Sequence, residues 1–141
     1  MKQGLLIAFA FLFAAISHAQ TTTNTIAAQS DTIKIEAKFP GGAEGWASYL
    51  QHNLRAEVGA ENLKVKRHKT VRQTVVVSFL VNKEGKISEV TVENPNEVHP
   101  ALAAEAMRVI KKGPDWLPAT INGKPVIYRQ KQQISFVVSA E

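Results

Sequence analysis

The stretch that organises this chain runs from Glu105 to Val126 and reads EAMRVIKKGPDWLPATINGKPV. Its first part predicts the end of an amphipathic helix, with Gly113 as a left-handed cap and Pro114 preventing continuation. A Trp-x-Pro connector follows, and an Asn-Gly-Lys-Pro turn precedes the last strand. The stretch therefore fixes where the final strand begins, and its residues indicate a structural role.

The helix that leads into this stretch begins at Pro100, a residue that suits a first helical turn. Its basic side chains are expected to face away from the core: Arg108, Lys111 and Lys112. Its apolar side chains recur at helical spacing and form the predicted buried stripe: Leu102, Ala106, Val109 and Ile110. Downstream, the pattern predicts one long strand over 126–139, with the following side chains on one face: Val126, Tyr128, Ile134, Phe136 and Val138.

Upstream, residues 71–81 alternate apolar side chains and are the clearest predicted strand. Residues 82–86 follow as a hairpin loop in which Gly85 supplies a positive φ. Residues 87–93 return as a second strand with one dry and one wet face, so the sheet is expected to be covered on a single side.

The region before this hairpin is less regular. Residues 32–37 predict a short first strand, and 43–54 predict a helix because Trp46, Tyr49, Leu50 and Leu54 form an apolar stripe. Residues 55–70 show no regular pattern and are interpreted as a loop. The fold class that follows is α+β: a two-layer sandwich with two helices on one face of a small, mainly antiparallel sheet.

The N-terminus has the pattern of a cleaved secretory signal peptide, residues 1–19, followed by a flexible tether over 20–38 and a domain over 39–141. The alternative is an uncleaved membrane anchor. The apolar run Gly4–Ile16 would reach only about 20 Å as a helix, short of the roughly 30 Å hydrocarbon core. The chain has no cysteine, which excludes disulfides and a cysteine-linked lipid anchor.

No catalytic or metal-binding constellation is recognisable. His52, His68 and His99 lie in separate segments without the spacing of metal ligands, and the serines lack a nucleophile-elbow pattern. We therefore expect no enzymatic activity and no cofactor.

The formal net charge is +5, and part of it is concentrated in a basic cluster: Lys64, Lys66, Arg67, Lys69 and Arg72. A nucleic-acid site would interleave aromatic residues with these cations, and none are present. Two interpretations stay open, namely a solvated loop and a contact site for an anionic cell-envelope surface.

The last strand carries consecutive polar residues in its middle: Arg129, Gln130, Lys131, Gln132 and Gln133. They either protect an exposed strand edge from aggregation or form an edge to which a partner adds a strand. Both interpretations place the strand at the edge of the sheet.

Several motifs, in this order, resemble the TonB C-terminal domain of the Bacteroidetes type. Phe39-Pro40-Gly41-Gly42 resembles its opening, and Val75-x-Val77-x-Phe79-x-Val81 its central hairpin. The second helix and final connector are matched by Glu105-Ala106-x-Arg108-Val109-Ile110, Pro114-x-Trp116-x-Pro118 and Gly123-Lys124-Pro125-Val126. The resemblance covers residues 39–138.

The resemblance implies a periplasmic domain that engages the N-terminal segment of outer-membrane transporters by strand addition, in support of siderophore, cobalamin or glycan uptake. It also implies a link to inner-membrane energising proteins through another subunit. The residues it implies for the edge are Arg129, Gln130, Lys131, Gln132, Gln133, Ile134, Ser135 and Phe136. The same edge could pair two copies into a homodimer.

The chain departs from the family pattern at three places. Arg55-Ala56 stands where Tyr-Pro is usual, Gln133 stands where proline is frequent, and no Pro-rich spacer precedes the domain. The alternative function is therefore a structural cell-envelope adaptor that binds peptidoglycan or a partner protein without a transport role.

Overall fold

The computed structural model of the chain describes residues 31–141. The predicted signal peptide and the tether up to residue 30 lie outside the described residues. No helix within 31–141 is long and apolar enough to cross a membrane. In chain order the elements are β1 (Lys34–Ile35), α1 (Gly42–Asn53), α2 (Glu57–Asn62), β2 (Thr70–Val81), β3 (Ile87–Val92), α3 (Pro100–Lys112), β4 (Ala119–Ile121), β5 (Lys124–Val126) and β6 (Tyr128–Ser139).

The strands form two antiparallel three-stranded sheets, in the orders β3-β2-β6 and β1-β4-β5. The predicted α+β class is confirmed, but the expectation of one sheet with a continuous strand from residue 126 is wrong. Val126 belongs to β5, which forms a tight hairpin with β4 through Asn122 and Gly123. Both turn residues have positive φ, 50° and 78°. Asn-Gly is the sequence that favours such a hairpin turn, so the dipeptide closes a small sheet of its own.

The core lies on one face of the β3-β2-β6 sheet. The four apolar residues predicted for one face of β2 are all fully buried: Val75, Val77, Phe79 and Val81. Ile134 and Phe136 of β6 lie on the same face and are buried with them. The predicted stripe of α3 is also buried: Leu102, Ala106, Val109 and Ile110. Each fully buried large side chain contributes roughly 1.5–3 kcal/mol, so this layer dominates the stability.

The ends of α3 show one confirmed and one wrong expectation. Pro100 is the first residue of the helix, and the preceding His99 caps it by accepting a hydrogen bond from Ala101 N at Nδ1. Gly113 is not left-handed; its φ of −66° and ψ of 170° are extended. Pro114 explains the difference, because a residue before proline is driven to extended backbone.

The segment interpreted as a loop, residues 55–70, contains the short helix α2. Six residues are too few to show a helical period, so the pattern alone could not predict it. Gly59 packs α2 against β6: a Cβ there would lie 3.3 Å from Val138 and 3.5 Å from Phe136. Tertiary packing therefore holds this helix in place.

Trp116, in the connector after α3, joins three parts of the molecule. Its ring lies 5.1 Å from that of Phe79 and 5.6 Å from that of Phe39, measured between centroids. Its backbone N–H donates to Gly85 O in the β2–β3 hairpin at 2.9 Å. The connector therefore fixes the hairpin and the start of α1 relative to the sheet.

Candidate functional site: the open edge of β6

The β6 strand lies at the end of its sheet. It pairs with β2 along all twelve of its residues, without a shift in register. Within residues 31–141 no strand pairs with its other side. The edge position predicted for the last strand is therefore present in the structure.

Two hydrogen bonds determine which backbone groups of β6 point to the open side. Ala140 N donates to Lys69 O at 3.1 Å, so an even-numbered residue on this strand bonds to β2. On the other side of β2, Glu93 N donates to Val76 O at 2.8 Å, which leaves the odd-numbered residues of β2 to face β6. The odd-numbered residues of β6 therefore direct their N–H and C=O groups outward: Arg129, Lys131, Gln133, Ser135 and Val137.

The outer, solvent-facing side of β6 carries two ion pairs that reach across β2, one to β3 and one to Glu93, the residue that follows β3. Arg129 Nη2 lies 2.9 Å from Glu89 Oε2, and Lys131 Nζ lies 2.8 Å from Glu93 Oε2. The hydrogen bond from Lys131 lowers the pKa of Glu93. The side chains of Arg129 and Lys131 are therefore held on the outer face by these ion pairs. Ser78 of β2, the strand that the pairs cross, is buried.

The inner side of β6 adjoins a hollow of about 390 Å³, which we call the Trp46 groove. Its lining comes from β6, α1, the segment before α1 and the connector after α3, with no residue of β2. It therefore lies on the side of β6 that faces away from β2. The lining residues are Ala37, Lys38, Phe39, Gly42, Ala43, Trp46, Trp116, Gln130 and Gln132.

Aromatic rings form the wall and floor of the Trp46 groove. The centroid of Trp46 lies 5.2 Å from that of Phe39 and 5.9 Å from that of Trp116. With the Gln132 amide oriented so that its oxygen faces the indole, Trp46 Nε1 donates to it at 3.1 Å. Phe39 and Trp116 are buried, whereas Trp46 is half-buried.

A second, smaller hollow of about 210 Å³ lies farther along β6, and we call it the Leu54 hollow. It is lined by Leu54, Ala56, Ser135, Phe136 and Val137. Gln132 and Phe136 share the inner face and stand four residues apart, so the two hollows lie about 13 Å apart along the strand.

An ion pair between a buried carboxylate and a half-buried arginine positions the segment that borders the Leu54 hollow. Glu105 of α3 is 5% exposed and accepts hydrogen bonds from Arg108 Nε at 2.8 Å and from Arg55 N at 2.9 Å. Arg108 also donates to Asn53 O at 2.7 Å. The hydrogen bond from Arg108 lowers the pKa of Glu105 and raises that of Arg108. The expectation that Arg108 faces away is wrong, because the junction between α1 and α2 binds it.

The edge residues expected from the sequence therefore divide between the two faces. Arg129, Lys131, Gln133 and Ser135 are exposed on the outer face, whereas Gln130 and Gln132 line the Trp46 groove. Ile134 and Phe136 are buried in the core. Sequence reasoning missed the groove itself, because Lys38, Trp46 and Trp116 come together only in the folded chain.

The basic cluster lies in the turn between α2 and β2 and on the first residues of β2. All five side chains are exposed, and none forms an ion pair with another residue of 31–141. The same part of the chain holds no group of three or more histidine, cysteine, aspartate or glutamate side chains that could bind a metal ion.

Comparison with protein families gives one match. Residues 65–138, more than half of the chain, match the family model described as the C-terminal domain of the Gram-negative bacterial TonB protein. No curated protein and no solved structure gives a significant match. The matched region runs from the basic cluster through the hairpin and α3 to the end of β6.

Proposed function

The chain belongs to the TonB C-terminal domain family, a non-enzymatic and transport-associated family, and on that premise we propose that it is a periplasmic binding module. It engages the N-terminal segment of outer-membrane transporters by strand addition beside β6, in support of TonB-dependent transmembrane transport. The predicted signal peptide delivers it to the periplasm. Energy from the inner membrane reaches it through another subunit.

The observation that carries this proposal is the row of outward-pointing backbone groups on β6. Five alternate residues direct N–H and C=O groups to the open side, and no β-bulge interrupts the strand. Each exposed backbone hydrogen bond contributes about 0.5–1.5 kcal/mol net. Four or five of them total roughly 2–7.5 kcal/mol before the cost of ordering a peptide, so the backbone edge alone supports only weak, reversible binding.

The test is a titration of the domain with peptides from the N-terminal regions of outer-membrane transporters, followed by amide NMR. Binding by strand addition shifts the amides of the odd-numbered residues between Arg129 and Val137 most strongly. If the peptides leave these amides unmoved, the proposal is wrong.

A matched pair of variants separates backbone from side-chain recognition. Lys131→Pro removes one outward N–H, whereas Lys131→Thr keeps it, and both lose the ion pair with Glu93. We expect Lys131→Pro to weaken peptide binding at least tenfold relative to Lys131→Thr. Equal binding by the two variants would exclude pairing at this residue.

The open edge also offers a site for a second copy of the chain. Sedimentation across a range of protein concentrations tests whether a homodimer forms, and added peptide should dissociate it because both ligands would occupy the same edge.

A second candidate function is adhesion to an anionic envelope polymer such as peptidoglycan, favoured by the exposed basic cluster, which forms no ion pair with any described residue. Lys66→Glu combined with Arg67→Glu should abolish salt-sensitive pelleting with purified cell wall. The matched control reverses two exposed lysines elsewhere, Lys83→Glu and Lys124→Glu. Equal loss in both double variants would indicate an effect of net charge alone.

A further inference from the structure

We propose that the Trp46 groove selects the partner segment by binding one apolar side chain from it, with Lys38 at the rim binding a carboxylate of the same segment. This inference rests on the proposed strand addition at β6. The groove determines which sequences bind. The backbone edge of β6 determines that the bound segment is extended.

Strand geometry directs alternate side chains of an added segment to the groove. Successive side chains of a strand point to opposite faces of the sheet, whether the new strand is parallel or antiparallel to β6. Those on the inner face lie beside Gln130 and Gln132, the two residues of β6 that line the groove. The groove lies on the open side of β6, so an inward side chain enters it without displacing the core.

The chemistry of the groove favours an apolar occupant. Its floor is formed by the nearly buried rings of Phe39 and Trp116, and its wall by Trp46. The indole N–H of Trp46 is already bonded to Gln132, so this donor is not available to a polar occupant. The volume of about 390 Å³ falls in the range of ligand pockets, roughly 300–1,000 Å³.

A second apolar side chain is expected four positions away in the partner segment. Phe136 shares the inner face with Gln132 and lies four residues farther along β6, where it borders the Leu54 hollow. A segment with apolar residues at both inward positions fills both hollows at once. The spacing of four therefore distinguishes this site from a strand edge that binds any extended chain.

The charge of Lys38 indicates that the partner segment is acidic. Lys38 is exposed at the rim of the groove and forms no ion pair within residues 31–141. Arg129 and Lys131 are already neutralised by glutamates on the outer face. A second copy of β6 would bring no carboxylate to Lys38, because residues 128–139 contain no aspartate or glutamate. An acidic peptide is therefore the occupant that fits.

The experiment uses two acetylated and amidated peptides. The first is Glu-Thr-Leu-Thr-Val-Thr-Leu-Thr-Glu, whose inward pattern is the same in either strand direction. The second replaces both leucines with threonine, a β-branched residue that favours the extended backbone and removes the two large apolar side chains. We expect the leucine peptide to bind at least about tenfold more tightly in NMR titrations, because it buries two additional apolar side chains.

Two variants at exposed alanines of α1 test whether the preference for the leucine peptide arises in the Trp46 groove. Ala43→Leu fills the groove, whereas Ala47→Leu places the same side chain one turn along α1, outside the lining. Ala43→Leu should reduce the tenfold preference to about twofold or less, and Ala47→Leu should keep it. Lys38→Glu should weaken the binding of both peptides in a salt-dependent manner.

The outcomes separate the inference from the proposed function. If both peptides shift the β6 amides and bind equally, strand addition stands and selection by the groove is wrong. If Ala43→Leu keeps the tenfold preference, the leucine contact lies elsewhere and the groove assignment is overturned. If neither peptide shifts the β6 amides, selection of this apolar pattern is wrong, and strand addition fails as well only if the transporter peptides also leave these amides unmoved.

Discussion

The two edges of the β3-β2-β6 sheet differ in every respect that controls strand pairing. β3 has six residues and a shift in register opposite Ser78 and Leu80, where Glu89 adopts a positive φ of 50°. β6 has twelve residues and an uninterrupted register. Short strands and bulges are the devices by which proteins protect an edge from pairing. The β3 edge has both devices, and the β6 edge has neither.

The side chains next to the two edges extend this difference. The outer face places Glu89 of β3 and Glu93, the residue after β3, against the basic residues of β6, so these charges neutralise one another. The inner face has hollows beside β6, at the Trp46 groove and the Leu54 hollow. Recognition at the β6 edge is therefore expected to depend on its backbone and its inner face.

The largest expected loss of stability comes from a substitution in the hairpin between β2 and β3, which should destabilise the whole sheet and therefore both of its edges. A Cβ at Gly85 would lie 2.0 Å from Trp116 O, and Gly85 has a φ of 87°. Gly85→Ala should lower the free energy of unfolding by about 3 kcal/mol or more, because Trp116 must move. Chemical denaturation followed by tryptophan fluorescence measures this loss.

Gly123→Ala is the matched control, since its φ is 78° and a Cβ there meets nothing within 4 Å. It should cost only about 1 kcal/mol, the strain of a left-handed alanine. Equal losses at the two positions would mean that the contact between the hairpin and Trp116 contributes nothing.

A smaller loss of stability, confined to the segment that packs beside β6, is expected from a substitution at Glu105. Glu105→Gln removes the charge that holds Arg108 at the junction of α1 and α2, and we expect it to cost about 2 kcal/mol. Hydrogen exchange should accelerate in residues 53–62 and stay unchanged in β3. Glu61→Gln, an exposed substitution in α2, should do neither. Accelerated exchange in β3 would contradict the separation of the two sides.

The same carboxylate predicts a pH dependence. Its pKa in the native state lies below the ordinary value of 4.5, so the unfolded chain binds more protons in this range. The stabilisation by Glu105 is present above pH 4.5 and is lost as the pH falls through the native-state pKa. Glu105→Gln should remove this part of the acid sensitivity in denaturation curves recorded between pH 7 and 3. An unchanged slope would contradict it.

The smallest expected effect concerns the bulge that protects the β3 edge. Glu89→Gly relieves a left-handed glutamate and loses an exposed ion pair with Arg129. We expect a gain in unfolding free energy of roughly 0.5 kcal/mol, because the backbone term exceeds the ion-pair term. Peptide binding at β6 should stay within twofold. A clear loss of stability would mean that the ion pair outweighs the strain.

Strong local periodicity made the main layer of the fold predictable. Alternation in β2 and the helical stripe of α3 each span about a dozen residues, and both were confirmed by burial. The short elements were missed because α2, β4 and β5 have six residues or fewer and depend on tertiary packing. The edge position of β6 followed from its polar middle, whereas the Trp46 groove unites residues more than 60 positions apart and could not be read from any local pattern.

Amide hydrogen exchange along β6 and β3, with and without the leucine peptide, tests strand addition most directly. Strand addition should give new protection at the odd-numbered residues Arg129, Lys131, Gln133 and Ser135, whose N–H groups point outward in the free domain. The even-numbered residues, already bonded to β2, should change little, and β3 should not change. New protection along β3, or none along β6, would contradict strand addition at this edge.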